Sequence, residues 1–197
     1  MAAGHDRVVR DNVHRDIVLD DDISRLVDTR TFQRLRDIKQ LATCHYVFPT
    51  ATHTRFVHSL GAQHLAGVLL EHLEAVDPGR ITPEDARLVR YAALLHDIGH
   101  PPFSHALEND RVFANYHHHE KWGKMILEDP DNDLRQALIE LVGEEGLARL
   151  FSILDGTCEF PVLHDIVSSQ LDVDRLDYLM RDQINTGAKI GTFDVFR

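Results

Sequence analysis

Arg90-Tyr-Ala-Ala-Leu-Leu-His96-Asp97-Ile-Gly99-His100-Pro-Pro-Phe-Ser-His105 is the stretch whose reading decides the fold. An apolar helix runs into a His-Asp pair and stops at Gly99. The start of that helix is marked by Thr82 as N-cap, Pro83 at its first position, and Glu84 and Asp85 in its first turn. Leu88, Val89, Ala92 and Leu95 recur at helical spacing and make one face apolar. His96 follows Ala92 by four residues and so falls on the buried side. A buried imidazole beside a carboxylate needs a partner, because an unpaired polar group there costs roughly 1–3 kcal/mol. Taken alone, the stretch allows two readings. One is a core histidine bonded to a carbonyl at a helix end; the other is a pair of ligands to a divalent metal.

Working outward, the segment before it reads as a long buried helix capped at Thr54, with positions 58, 61, 65, 68 and 72 on one face. His58 points inward there, and Gly61 allows another backbone to come close. Upstream, Thr31 to Leu41 reads as a strongly amphipathic helix with Phe32, Leu35 and Ile38 inward. Arg34, Arg36 and Lys39 form its opposite face, either solvated or anion-binding. Asp16-Ile-Val-Leu19 predicts a strand or small hairpin near the N-terminus. Downstream, Trp122, Met125 and Ile126 mark a helix after three consecutive histidines, and Leu134–Leu154 reads as two helices broken near Gly143. Near the end, Asp174, Tyr178 and Asp182 fall at i, i+4 and i+8 and line one stripe.

Composition narrows the function. The chain has 197 residues, 43% hydrophobic and 27% charged, which suits one soluble globular domain spanning 1–197. No apolar run is long enough for a membrane span and no signal-peptide core is visible. Cys44 and Cys158 stand alone, which fits a reducing cytoplasm. A net charge of −11 argues against a nucleic-acid polymer as partner. It leaves room for a small anion held by a metal and a few local cations. The 14 histidines tilt the composition towards a metalloenzyme. In order, His58, His96-Asp97 and Asp174 offer two imidazoles and two carboxylates from three predicted helices. That mixed donor set suits Mn, Fe, Zn or Ni better than Mg alone.

These residues carry a resemblance. The H…HD…D order resembles the signature of HD-domain metal-dependent phosphohydrolases. Four longer phrases resemble their deoxynucleoside triphosphate triphosphohydrolase branch: Phe32 to Leu41, Phe48 to Gly61, His96 to His105 and Ser168 to Asp182. The resemblance implies an all-α HD-domain bundle around one divalent metal held by His58, His96, Asp97 and Asp174. A further Mg accompanying the triphosphate is compatible with it. It places Arg55 on phosphate, Arg175 where many members have a phosphate-pairing lysine, and His100 and His105 along the triphosphate. His105 is the candidate acid towards the departing 5′-oxygen. His119, with Glu120 behind it, assists proton transfer. Tyr178 and Asp182 bind the sugar 3′-hydroxyl, and Gln40 and Leu41 pack on the deoxyribose. The implied reaction is attack of water at the α-phosphorus of a dNTP, releasing deoxynucleoside and triphosphate from a homo-oligomeric enzyme.

Two departures accompany the resemblance. Arg10 stands where family members bind an activator through asparagine, although Asp28, Gln33 and Arg36 match activator contacts. Most relatives also continue past Arg197, so the chain is expected to be the catalytic part of a longer architecture or a short member. The alternatives are another HD phosphohydrolase, a nucleotidase or phosphodiesterase, and a catalytically weak nucleotide- or metal-binding module that oligomerises.

Overall fold

The computed structural model describes residues 6–103 and 118–189. It opens on an antiparallel hairpin, β1 (Arg7–Asp11) and β2 (Arg15–Leu19), in which Arg7 faces Leu19 and Asp11 faces Arg15. Asp11 Oδ1 accepts from the amides of Val13 and His14, both at 2.9 Å, and so shapes the turn. Helix α1 (Asp21–Val27) follows, capped by Asp20, whose side chain accepts from the Ile23 amide. The expected hairpin is present, and Ile17 and Leu19 carry its inner face into the core.

The predicted helix over Thr31–Leu41 is shorter than expected. Only α2 (Arg30–Gln33) is α-helical; Arg34–Asp37 tightens into a 3₁₀ turn and Ile38 is extended. Tertiary pairing overrides the local pattern. The Arg55 amide donates to the Ile38 carbonyl at 2.8 Å, and the Gln40 amide to the His53 carbonyl at 3.0 Å. Phe32, Leu35 and Ile38 are nevertheless buried as expected. The basic face is neither a plain solvated surface nor a free anion site. Arg34 reaches inward to the carbonyls of Ile98 and His100, the latter at 2.9 Å, and the Arg36 guanidinium lies 3.6 Å from the Phe56 ring centroid.

A 3₁₀ turn at Cys44–Tyr46 leads to α3 (Arg55–Val76) and then α4 (Pro83–Leu95). Thr82 caps α4 through Asp85 N with Pro83 at the first position, as its sequence predicts. After the undescribed stretch come α5 (His119–Glu128), α6 (Asp133–Leu154), α7 (Val162–Val167) and α8 (Val173–Thr186). The break expected near Gly143 is there: φ is 70° and ψ −179° inside α6. Helix α3 packs on α4 and α8, while α4 also packs on α6 and α7. The core between them is built from buried residues such as Leu60, Leu65, Leu88, Leu94, Leu138 and Leu150. Three chain segments thereby meet: the first turns of α3, the end of α4 and the start of α8. No helix among the described residues is long and apolar enough to cross a membrane.

Candidate metal centre

His58 lies one turn into α3 and is fully buried. His96 is the C-cap of α4, and Asp97 follows in the turn that ends it. Asp174 belongs to the first turn of α8, where Asp172 caps the helix by accepting from the Arg175 amide. The ligand-type atoms of His58, His96 and Asp97 all fall within 4.8 Å of one another. Asp174 closes the set: its Oδ1 is 3.0 Å from His58 Nε2 and 3.5 Å from His96 Nε2. The structure thus brings together the four residues that the sequence order singled out.

Hydrogen bonding at the outer nitrogens shows that this cluster fits a cation. His96 Nδ1 is 2.8 Å from the Ala93 carbonyl, which can only accept, so Nδ1 carries the hydrogen. His58 Nδ1 donates at 2.7 Å to Asp177, whose carboxyl is held well below the usual range: burial pushes it up, but His14, His58 and Arg181 outweigh that. Each neutral ring therefore keeps a lone pair on Nε2. These two atoms face each other at 3.3 Å, with Asp97 oxygens 3.5–3.6 Å away. Four acceptors converging in a buried space repel unless a cation lies among them. The two readings of His96 hold at once: one ring nitrogen caps the carbonyl and the other joins the cluster.

In metal-free protein a proton takes the cation's place. Burial disfavours charged His58, but its bonds to Asp174 and Asp177 outweigh this and push it up to about 10. His96 is raised as well, against its burial, chiefly by Asp97. A histidine raised on folding contributes stability fully below its ordinary value of 6.5, and that contribution fades as pH climbs to about 10. The melting temperature of chelator-treated protein is accordingly expected to fall across that window, and Mn²⁺ to remove most of the slope by replacing the proton. A flat metal-free profile in calorimetry would contradict this arrangement.

The cluster sits on the wall of a cleft of about 680 Å³. Its lining includes Gln40, Leu41, Arg55, His96, Asp97, His100, His119, Glu120, Asp174, Tyr178 and Asp182. The stripe of Asp174, Tyr178 and Asp182 thus faces this one space. Asp182 is held by His53 Nε2 at 2.9 Å, and the buried Gln40 Oε1 has no hydrogen-bond partner among the described residues. Arg55 is buried and ion-paired with Asp97. His100 Nε2 is 3.1 Å from Asp97 Oδ1; burial outweighs that carboxylate and pushes the ring down to about 4, so it is neutral at pH 7. The His100 and His119 rings stack at 3.7 Å.

The other expected residues lie at the cleft, on the surface or outside the described residues. Glu120 lines the cleft but is exposed, with its carboxylate 3.4 Å from His118 Nδ1. Arg175 does not line the cleft; it is half exposed, 3.5 Å from Asp172 Oδ2. His105 lies outside the described residues. Asp28 is taken by Arg7 in a two-pronged pair at 2.6 and 2.7 Å, and Arg10 pairs with Asp16 on the hairpin surface at 2.7 Å. Sequence reading missed His14, His53, Asp177 and Arg181, which hold the site's residues in place, and read Arg34 only as part of a basic face. A readable signal for one pair existed: Asp177 and Arg181 stand four apart on a helix.

Known proteins resemble this chain throughout. Deoxynucleoside triphosphate triphosphohydrolase SAMHD1 of Homo sapiens is 34% identical over 219 residues, covering 97% of this chain and 35% of that protein. An uncharacterized protein of Methanocaldococcus jannaschii is 38% identical over 193 residues, covering 97% of this chain and 36% of its own length. A phosphohydrolase crystal structure from Bacteroides thetaiotaomicron superposes with a TM-score of 0.83 at 34% identity, over 96% of this chain and 45% of that one. The chain therefore spans about a third to under a half of the length of these relatives. The HD domain profile matches residues 55–182, the span from the start of α3 to Asp182 that holds all four residues of the candidate cluster. With that match, the His58, His96-Asp97 and Asp174 order and the all-α fold, the chain belongs to the HD domain family.

Proposed function

We propose that the protein is a metal-dependent hydrolase of deoxynucleoside triphosphates, adding water at the α-phosphorus to give deoxynucleoside and triphosphate. The observation that carries the reading is one cleft lined by three of the proposed ligands together with Tyr178, Asp182 and Gln40. His58, His96, Asp97 and Asp174 are the proposed ligands. A divalent ion there supplies Lewis acidity, acidifying water and polarising a phosphoryl oxygen. The mixed imidazole–carboxylate donors favour Mn, Fe, Zn or Ni over Mg.

The chain's own groups do the rest. Arg55 is fixed by Asp97 at the cleft wall, where its planar guanidinium suits phosphate. His100 is neutral at pH 7 and has Nε2 engaged with Asp97, so it orients that carboxylate rather than serving as a proton source. His119 stacks on it and lines the same cleft, and the resemblance gives it a part in proton transfer. Proton delivery to the departing 5′-oxygen falls to His105, as the resemblance implies. At the sugar end, Asp182 is held by His53, and Gln40 Oε1 is a buried acceptor with no partner among the described residues. A sugar hydroxyl, with one proton to give, can donate to either acceptor. The names of the SAMHD1 relatives support the substrate class.

Incubation of the purified protein with Mn²⁺ and each dNTP, with products separated by ion-exchange chromatography, tests the reading. Deoxynucleoside with intact triphosphate is the expected pair. Monophosphate or diphosphate products would reassign the protein to another HD phosphohydrolase activity, and binding without turnover to a nucleotide-binding module.

A further inference from the structure

The geometry points to His14, in the turn of the N-terminal hairpin, as a positioning residue for the metal ligand His58, acting through Asp177. This rests on the reading of His58 as a ligand. Asp177 is wholly buried and takes its partners from three segments. His58 Nδ1 lies 2.7 Å from Oδ2, and His14 Nε2 lies 2.6 Å from Oδ1. Arg181 donates to both oxygens, from Nε at 2.8 Å and Nη2 at 2.9 Å. Arg181 reaches on to Asp11 at 2.7 Å, and Asp11 in turn holds the amide of His14. The loop of contacts closes, so the carboxylate that orients His58 is set from the hairpin side as well as from α8. A partner of this kind fixes ring orientation and raises ligand basicity, and its loss typically costs roughly 10–100-fold in metal affinity.

The alternative is that His14 only pins the hairpin to the bundle. Glutamine and asparagine separate the two roles, because a Gln side-chain amide nitrogen can occupy the place of Nε2 whereas that of Asn falls short of it. The experiment is calorimetric titration of chelator-treated protein with Mn²⁺, alongside thermal melts, for wild type, His14→Asn, His14→Gln and Arg7→Ala. Arg7→Ala releases the same hairpin from Asp28 without touching Asp177. His14→Asn is expected to weaken Mn²⁺ binding roughly 10–100-fold, with His14→Gln and Arg7→Ala near wild type. Wild-type affinity in His14→Asn overturns the proposal, as does a loss in Arg7→Ala as large as that in His14→Asn. If wild type itself binds Mn²⁺ no better than Asp97→Ala, the ligand reading fails and this inference with it. A normal wild-type titration with an unaffected His14→Asn sinks the inference alone.

Discussion

Asp97→Ala is expected to strip the protein of bound metal and of turnover together, while also lowering the stability of the metal-free form. The side chain is only 7% exposed and serves four partners at once. Oδ1 faces His96 Nε2 and His100 Nε2; Oδ2 faces Arg55 and His58 Nε2. Its carboxyl is held well below the usual carboxylate range: burial opposes ionisation, but His96 and Arg55 dominate. Removing it takes away one of two anionic donors from the proposed ion and breaks the buried Arg55–Asp97 ion pair. Breaking a buried pair from one side costs about 3–5 kcal/mol, a large share of a domain's usual 5–15 kcal/mol. Metal content by elemental analysis and melting of the chelated protein separate the two effects. Wild-type metal content in the variant would falsify the ligand assignment; an unchanged melt of the chelated form would show that Arg55 finds another anion.

The sequence made some parts of this site legible and hid others, for physical reasons. Helix α4 could be bounded at its start because Thr82, Pro83, Glu84 and Asp85 each act locally. The candidate ligand set was legible because the order His58, His96-Asp97, Asp174 resembles a family signature carried inside longer matching phrases. The segment after Phe32 could not, because Ile38 and Gln40 are extended by backbone pairing with residues 53–55, far along the chain. The grip on His58 was hidden for a similar reason. The stripe of Asp174, Tyr178 and Asp182 is one face of α8, and Asp177 with Arg181 occupies the adjoining face turned towards α3. Only the packing of α3 on α8 tells a buried Asp–Arg pair from the solvated pair its spacing suggests.

Gly61→Ala is the second change with a large expected effect, and it tests that packing directly. Sequence reading gives Gly61 a role in close backbone approach. What comes close is instead side-chain: a Cβ there would lie 1.8 Å from Asp177 Oδ1 and 2.6 Å from Arg181 Nη2. Neither group can easily withdraw, since Asp177 is held by His14, His58 and Arg181, and Arg181 by Asp11. Helix propensity favours alanine by about 1 kcal/mol. Overpacking opposes it by about 1–3 kcal/mol, and displacing the buried ion pair adds about 3–5 kcal/mol. The opposing effects win by several kcal/mol. The same helix holds an internal control: at Gly67 the nearest atom to an added Cβ is Arg90 Nε at 3.8 Å, an ordinary contact. Gly67→Ala should raise the melting temperature slightly while Gly61→Ala lowers it markedly and weakens Mn²⁺ binding, because the displaced carboxylate no longer orients His58. Equal melting temperatures for the two variants would mean that α8 can shift away from α3 at little cost. In that case the Asp177 network would be a consequence of where the helices lie rather than a constraint on it.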